Sequence, residues 1–318
     1  MITAKAPRSP RLSHQPVLFN EVMLALAPTD GGIYIDGTLG AGGHAAGILE
    51  RSAPTGRLLG LDLDSVALSL ARENLRQHAQ RVELVQSSYT GMMEQASRLG
   101  WVGRVNGILL DFGLSSMQLD DPERGFSFRG DAPLDMRFDQ HSGSTAAQIL
   151  NTADEAELLR IFWEYGEEPQ ARRLVKAILA HRPIQTTLQL ADLCEQSIGR
   201  SKSGIHPATR VFQALRIATN GELENVAAVL PDVVHLLAPG GRVAVITFHS
   251  LEDRIVKHFF QQESKGCVCP PSIPVCSCGH QASLIIRKPA SITASDEEVN
   301  SNPRSRSARL RVAEKVTA

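Results

Sequence analysis

The stretch YIDGTLGAGGH, residues 34–44, carries an apolar strand into a helix through a glycine-rich turn. The strand is predicted at Ile33–Asp36 and the helix at Gly42–Arg51. Glycines in such a turn can adopt positive φ and let a ligand approach bare backbone. Asp62 ends the next predicted strand, 22 residues after Gly40, where a carboxylate can accept both hydroxyls of a ribose. The stretch therefore predicts a nucleoside cofactor, without saying which one.

Strands and helices alternate on both sides of a helical block. Strand patterns precede the block at Arg57–Leu63, Val82–Val85 and Val105–Leu110, and a helix capped by Ser65 is predicted at Ser65–Gln77. From 115 to 216 helical patterns replace the strands, at Ala153–Tyr165 and Gln170–His181. The alternation then resumes with helices at Leu223–Leu237 and Leu251–Gln262 and β segments at Arg242–Phe248, Ser283–Lys288 and Ala308–Glu314. Ser250 is placed to cap the second of these helices.

This order predicts an α/β fold with a doubly wound, Rossmann-like parallel sheet. We assign residues 1–114 and 217–318 to the cofactor-binding domain. Residues 115–216 form a helical domain inserted at the carboxyl edge of the sheet, where ligands of such folds bind.

Two cofactors fit the glycine-rich turn. Residues 40–45 satisfy the G-x-G-x-x-A pattern of dinucleotide-binding turns, so an NAD-dependent oxidoreductase is one interpretation. Asp36, which precedes the first glycine, is placed to bind the amino group of a methionine moiety. The late β segments are typical of the antiparallel end of methyltransferase sheets. These two features favour S-adenosylmethionine.

The charge of the chain is balanced overall and uneven locally. The 318 residues have a formal net charge of −1, but residues 171–216 hold eight basic and two acidic groups. That excess predicts either a polyanion-facing surface or a solvated helical face. The N-terminal MITAKAPRSPRLSHQP is polar, so we expect a loose arm rather than a signal peptide. No run is long and apolar enough to span a bilayer. We therefore expect a cytoplasmic protein without a membrane partner.

Four cysteines form a C-x-C-x₆-C-x-C pattern from Cys267 to Cys278, through Cys269 and Cys276. Their spacing allows a structural zinc site, although C-x-x-C is more usual. Reduced thiols of a surface loop are the alternative. We assign no metal to the cofactor site. The sequence leaves open whether the four cysteines bind zinc.

Motifs along nearly the whole chain resemble those of ribosomal RNA small subunit methyltransferase H, a family of bacterial enzymes that methylate N4 of a cytidine in 16S rRNA. The motifs are long and particular. They are HQPVL (14–18), YIDGTLGAGGH (34–44), GILLDFGLSSMQLDDPERGFSF (107–128), PLDMR (133–137), YGEE (165–168), HPATRVFQALRI (206–217), LAPGGR (237–242), FHSLEDRIVK (248–257) and NPRSRSARLR (302–311).

The resemblance implies an S-adenosylmethionine-dependent methyltransferase with a class I methyltransferase sheet and an inserted domain that helps to hold RNA. We expect 16S rRNA as the partner, within the 30S subunit, although the sequence does not distinguish the subunit from free rRNA. It also leaves the oligomeric state open, and a homodimer is compatible with it. The resemblance implies cofactor contacts from Gly42, Gly43, His44, Asp62, Tyr89, Asp111 and Gln118.

The sequence defines the catalytic residues less clearly than the cofactor-binding residues. Asp111 and His249 follow the fourth and fifth predicted strands, and we take them as the catalytic candidates. Phe126 and Phe128 are candidates to stack on a flipped base, with ordinary packing as the alternative. Candidates for RNA phosphates are Arg137, Arg210, Arg254, Arg304 and Arg306. A non-enzymatic, RNA-binding ribosome-assembly module is the remaining functional alternative.

Overall fold

The sheet has the strand order of a doubly wound α/β fold. The computed structural model describes residues 16–115, 118–119, 121–199, 204, 206–270 and 275–317. Eight strands within these ranges form one sheet in the order β3-β2-β1-β4-β5-β8-β6, and β7 pairs with β8. The strands are β1 Ile33–Asp36, β2 Arg57–Asp62, β3 Val82–Gln86, β4 Val105–Asp111, β5 Leu237–Thr247, β6 Leu284–Ile286, β7 Ile292–Thr293 and β8 Arg309–Lys315.

Strands β1 to β5 run parallel, and β8 lies antiparallel between β5 and β6. The central strands are buried on both faces, as their continuous apolar runs predict. The carboxyl ends of β1, β2 and β4 meet at one edge, where the Gly37 N–H donates to the Leu109 carbonyl and the Leu39 N–H to the Leu61 carbonyl. The predicted α/β fold class is confirmed by this order.

Twelve α-helices surround the sheet or form the helical block within the described residues. They are α1 Phe19–Leu26, α2 Gly43–Arg51, α3 Ser65–Asn74, α4 Met92–Arg98, α5 Ala146–Thr152, α6 Glu155–Arg160, α7 Ala171–His181, α8 Thr187–Ile198, α9 Ala208–Asn220, α10 Glu222–Leu236, α11 Ser250–Glu263 and α12 Asp296–Ser301. None of the helices in this part of the chain is long and apolar enough to cross a bilayer.

Two predicted helix caps are wrong by one residue. Asp64, not Ser65, caps α3, because its side chain accepts from the Val66 N–H. His249, not Ser250, caps α11, because its ring accepts from the Glu252 N–H. In both cases the preceding side chain reaches the first-turn N–H groups that a helix leaves without a partner. Helix α1 and strand β7 were not predicted.

The helical block, α5 to α9, lies along the chain between β4 and β5 and has a core of its own. Helix α7 shows why: its buried residues follow the spacing i, i+3, i+4, i+7 on one face. Leu251, in the first turn of α11, packs into the same core. Helix α9 runs through the predicted domain boundary at 216/217. The two domain ranges stay a prediction.

Two predicted features lie partly outside the described ranges. They are the N-terminal arm, up to residue 15, and the basic stretch, at Arg200 and Lys202.

Candidate active site

A cavity of about 730 Å³ opens at the carboxyl ends of β1, β2 and β4. Its volume is in the range of sites that bind small organic ligands. Six of the eight predicted cofactor residues line it: Gly43, His44, Asp62, Tyr89, Asp111 and Gln118. The other two, Asp36 and Gly42, lie buried behind its wall. Direct contact of Asp36 with a cofactor amino group is therefore not supported, because its carboxylate is 1% exposed and accepts from the Thr38 N–H.

The glycine-rich turn forms one side of this cavity. Gly40 has φ +52°, and a Cβ built on it would meet no protein atom within 4 Å. Because Gly40 lines the cavity, that space is available to a ligand. Its N–H donates to Asp62 Oδ2 at 2.8 Å, which joins the turn to the end of β2. Asp62 Oδ1 accepts from the Asp64 N–H at 2.9 Å. An ionised carboxylate has about four acceptor positions, so Asp62 can still accept ribose hydroxyls.

Three carboxylates, Asp36, Asp62 and Asp111, form what we call the acid cluster. Burial and the charge of Asp62 raise the pKa of Asp36 to about 7. Burial also raises the pKa of Asp62. Burial, with the charges of Asp36 and Glu252, raises the pKa of Asp111 well above its ordinary value. Asp111 Oδ1 is buried without a hydrogen-bond partner in the described part of the chain.

No cation within the described residues balances the acid cluster. His44 Nδ1 lies 4.0 Å from Asp111 Oδ2, but burial lowers the pKa of His44 to about 4, so its ring is neutral at pH 7. The His44 Nε2 atom lies 3.1 Å from the Val17 carbonyl and can donate to it. Among the described ion pairs, none joins a Lys or Arg side chain to these three carboxylates. The site is therefore electrostatically suited to a positively charged ligand.

A second group of charges, the ion-pair cluster, consists of Arg216, Glu222, His249 and Glu252. Arg216 donates two hydrogen bonds to Glu222, at 2.7 and 2.9 Å. Burial raises the pKa of Glu222, and the guanidinium opposes that rise. His249 Nε2 lies 3.1 Å from Glu252 Oε1. Burial acts to raise the pKa of Glu252, but His249 and Arg216 outweigh it, so the net shift is downward.

The position of His249 changes its predicted role. Glu222, Phe248 and Glu252 line the cavity, whereas the His249 ring lies behind Glu252 and caps α11. A direct catalytic contact by His249 is not supported by this position. Arg216, counted in the basic stretch of residues 171–216, is also not part of a polyanion-facing surface, because it is committed to Glu222.

Comparison with known proteins decides the family. The model of the MraW methylase family matches residues 11–316. The chain belongs to the MraW methylase family. It is 52% identical over 310 residues to ribosomal RNA small subunit methyltransferase H of Heliobacterium mobile, with 95% of this chain and 99% of that one covered. The protein of the same name from Thermomicrobium roseum is 52% identical over 307 residues, with 96% and 94% covered. The predicted family is thus confirmed, and the chain is a methyltransferase.

The two phenylalanines predicted to stack on a base in this methylase lie away from the cavity. Phe126 is 7% exposed in the helical core, with its ring 5.8 Å from that of Phe138. Phe128 packs against His206 and Phe212, with ring centroids 4.7 and 4.9 Å apart. Both positions agree with ordinary packing, the alternative that the sequence left open.

Aromatic side chains that the sequence analysis missed do line the cavity. They are Phe112, Phe138 and Phe248, besides the predicted Tyr89. Tyr89 and Phe112 pack with ring centroids 5.3 Å apart. No local sequence signal separates Phe138 and Phe248 from core residues, because each comes to the cavity from a different segment.

The five arginines predicted to contact phosphate occupy different environments. Arg304 lines the cavity. Arg137 lines a smaller adjoining cavity of about 180 Å³ and pairs with Asp135. Arg210 and Arg254 both contact Glu167, through its carbonyl and its carboxylate. Arg306 is exposed. The structure therefore brings two of the five to the cavity region, and their contact with RNA stays a prediction.

Proposed function

We propose that this methyltransferase uses S-adenosylmethionine to methylate N4 of a cytidine in 16S rRNA. The observation that carries the cofactor assignment is the acid cluster, which no cation of the described residues balances and which lies beside a cavity large enough for a nucleoside. S-adenosylmethionine bears a sulfonium and an ammonium against one carboxylate. Its net positive charge offsets the repulsion within the cluster.

A dinucleotide cofactor would bring negative rather than positive charge to this site. NAD would bring a dianionic pyrophosphate against Asp62 and Asp111, at a turn whose Gly40 N–H is already committed to Asp62. Membership of a methylase family also argues against an oxidoreductase and against a module without catalytic activity. The rRNA substrate rests on the printed name of the relatives, ribosomal RNA small subunit methyltransferase H.

S-adenosylmethionine supplies an electrophilic methyl group when it is bound. Asp62 would hold the ribose hydroxyls, and the backbone from Gly40 to Gly43 would leave room for the ligand beside the turn. Tyr89 would pack on the adenine ring. Gln118, which is 7% exposed and lines the cavity, would add a polar contact.

Methylation of N4 forms an N–C bond and requires the nitrogen to lose a proton. Asp111 Oδ1 is the acceptor that we assign to this proton, because it is buried and has no hydrogen-bond partner in the described residues. The raised pKa of Asp111 makes it a better base than an ordinary carboxylate once it is ionised. Glu252, held by His249 and by the Phe248 N–H, would keep the adjoining wall negative.

The cytosine would stack on Phe138 or Phe248, since both rings line the cavity and are only partly buried. Arg137 and Arg304 would contact the flanking phosphates. Separate positions in the chain thus supply the cofactor contacts and the base contacts, as positioning for methyl transfer requires.

Methyl transfer to 30S subunits and to naked 16S rRNA tests the proposal, with the product nucleoside identified by mass spectrometry. We expect N4-methylcytidine, formed faster on 30S subunits. Asp111→Asn should lower kcat by about 100-fold or more, and saturating cofactor should not restore the loss. Asp131→Asn, the same change at an exposed position, is the matched control.

Methylation at another atom, or no methylation of either substrate, would overturn the proposed function. Binding of rRNA without methyl transfer would favour the assembly-module alternative. Light scattering of the same preparation tests whether the chain forms a homodimer, and either outcome leaves the chemistry unaffected.

A further inference from the structure

The four cysteines of the C-x-C-x₆-C-x-C pattern converge in the loop between α11 and β6. We call Cys267, Cys269, Cys276 and Cys278 the cysteine cluster. All four sulfur atoms lie within 4.8 Å of one another. None of them is in a disulfide. The pattern of the sequence is thus a compact arrangement in space, although residues 271–274 between its halves lie outside the described ranges.

The sulfur spacing matches a tetrahedral metal site. Zn–S bonds of about 2.3 Å place the ligand sulfurs of a regular tetrahedron about 3.8 Å apart. The Cys276 and Cys278 sulfurs are 3.6 Å apart, and those of Cys278 and Cys267 are 3.9 Å apart. These distances exceed the roughly 2.05 Å of a disulfide. They suit four thiolates around one ion.

Hydrophobic burial does not explain this convergence. Three of the four cysteines are exposed and the fourth is half-buried. The neighbouring Val275 is 75% exposed and Val268 39% exposed. A thiol is a weak hydrogen-bond donor, so thiol–thiol contacts alone stabilise such a loop little. A bound ion supplies the missing interaction, as it does in small domains that lack a sufficient core.

Backbone N–H groups point at the sulfur atoms. The Cys269 N–H donates to the Cys267 sulfur at 3.4 Å, and the N–H groups of Val268 and His280 donate to the Cys278 sulfur. Hydrogen bonds of this kind orient the ligand atoms of metal sites. The loop backbone is therefore arranged to hold these sulfur atoms in place.

We propose that the cysteine cluster binds one Zn²⁺ ion as a closed tetrathiolate site. Four protein ligands leave no open coordination position, so the ion is structural rather than catalytic. An iron–sulfur cluster fits less well, because its inorganic sulfides would have to lie between cysteine sulfurs that are already within 4.8 Å. His280 is not required as a ligand, and its Nε2 lies 3.3 Å from the Gln262 carbonyl.

The position of the zinc site indicates which part of the fold it stabilises. Helix α11 has 14 residues and therefore spans about 21 Å. Its first turn contributes to the cavity, and the cysteine cluster follows its last turn. Zinc would fix the loop that joins this helix to β6, at the end of the sheet remote from the cofactor cavity. The inference is thus independent of the proposed function.

The test is metal analysis of the full chain, purified under reducing conditions without a polyhistidine tag or chelator. We expect one zinc per chain by mass spectrometry of the digested protein. Cys267→Ser and Cys278→Ser should each lose it. Cys194→Ala, which changes the buried cysteine of the helical core, should retain it. Co²⁺ added to the metal-free wild-type chain should give the visible absorption of a tetrahedral tetrathiolate.

Three results would overturn the proposal. They are iron in place of zinc, equal zinc in the wild type and both serine variants, and a metal-free chain that binds neither Zn²⁺ nor Co²⁺ when reduced. The Co²⁺ spectrum uses the wild-type sequence, so it remains decisive if a serine variant fails to fold.

Discussion

The acid cluster and the ion-pair cluster lie at the same cavity and differ in whether their carboxylates have a basic side chain beside them. In the ion-pair cluster each carboxylate has a basic side chain beside it, with Arg216 on Glu222 and His249 on Glu252. In the acid cluster, three carboxylates share one neutral histidine, His44. Within the described residues, both carboxylates of the ion-pair cluster have a basic neighbour in the protein. Those of the acid cluster have only the neutral ring of His44.

This difference separates structural from functional charge. Buried carboxylates that are paired within the protein stabilise one arrangement of helices, here α9, α10 and α11. Buried carboxylates left without a cation make the unliganded protein less stable, and they persist where a ligand supplies the missing charge. The comparison therefore predicts that the same kind of substitution has opposite effects in the two clusters.

The largest effect on stability is expected from breaking a complete pair. Arg216→Ala leaves Glu222 buried near Glu252 without its guanidinium, and should lower the free energy of unfolding by about 3–5 kcal/mol. Urea denaturation at pH 7.5 measures it. The matched control is the double variant Arg216→Met with Glu222→Gln, which removes both charges and should cost much less. Equal losses in the two variants would contradict the assignment of these residues as a compensated pair.

Removing a charge from the acid cluster should instead raise the free energy of unfolding of the unliganded protein. Because the pKa of Asp36 is raised to about 7 in the folded chain, this carboxyl costs stability above about pH 4, and the cost reaches its full size above pH 7. Asp36→Asn should stabilise the unliganded protein at pH 8 by up to about 4 kcal/mol. The gain should fall as the pH drops from about 7 to about 4, below which the carboxyl is protonated in both states. The same variant should bind S-adenosylmethionine more weakly, and thermal unfolding with and without cofactor measures both effects.

A stabilised variant that kept full cofactor affinity would mean that Asp36 serves no electrostatic purpose. A destabilised variant would mean that Asp36 is compensated, like Glu222.

The effect of pH on cofactor affinity should be smaller than these two effects on stability. A cationic ligand favours ionised carboxylates, so binding releases the proton that Asp36 holds below pH 7. Affinity for S-adenosylmethionine should fall about tenfold between pH 8 and pH 6. Calorimetry in buffers of different ionisation enthalpy detects the released proton. Asp36→Asn is the control, because it should flatten this part of the profile, and an unchanged profile would exclude Asp36 as its source.

The smallest effect at the cavity is expected from the cysteine cluster. Removal of zinc, or Cys267→Ser, should increase hydrogen exchange in residues 265–283 by at least tenfold. Affinity for S-adenosylmethionine should stay within about twofold, because the helix between the two sites spans about 21 Å. A large loss of cofactor affinity would show that the loop and the cavity are coupled.

Much of the fold could be predicted because its signals are local. Apolar runs of four to seven residues marked β1 to β4, and the glycines after β1 marked the turn. The helix caps were each missed by one residue, because Asp64 and His249 precede residues that are good caps themselves. Strand β7, with two residues, is too short to leave a periodic pattern.

The site could be predicted only in part, and for a definite reason. Asp62 and Asp111 end their strands, and the carboxyl ends of parallel strands meet at one edge. Three other cavity residues come from the segment before α5, from α10 and from α11, so nothing in the neighbouring sequence links them to the turn. They are Phe138, Glu222 and Glu252. The sequence pattern around Phe126 and Phe128 was ambiguous for the same reason. Aromatic residues beside arginines have a similar pattern whether they line a cavity or a core.

The sequence by itself determined the order of strands and helices, the glycine-rich turn with its acidic partner, and the family, because each depends on residues that are close along the chain. Only the tertiary structure decided which charges are compensated. Asp36 and Glu222 are both acidic residues beside glycines in the sequence. Glu222 becomes half of an ion pair, because Arg216 reaches it across the turn between two helices. Asp36 becomes a buried carboxylate that no cation of the described residues reaches.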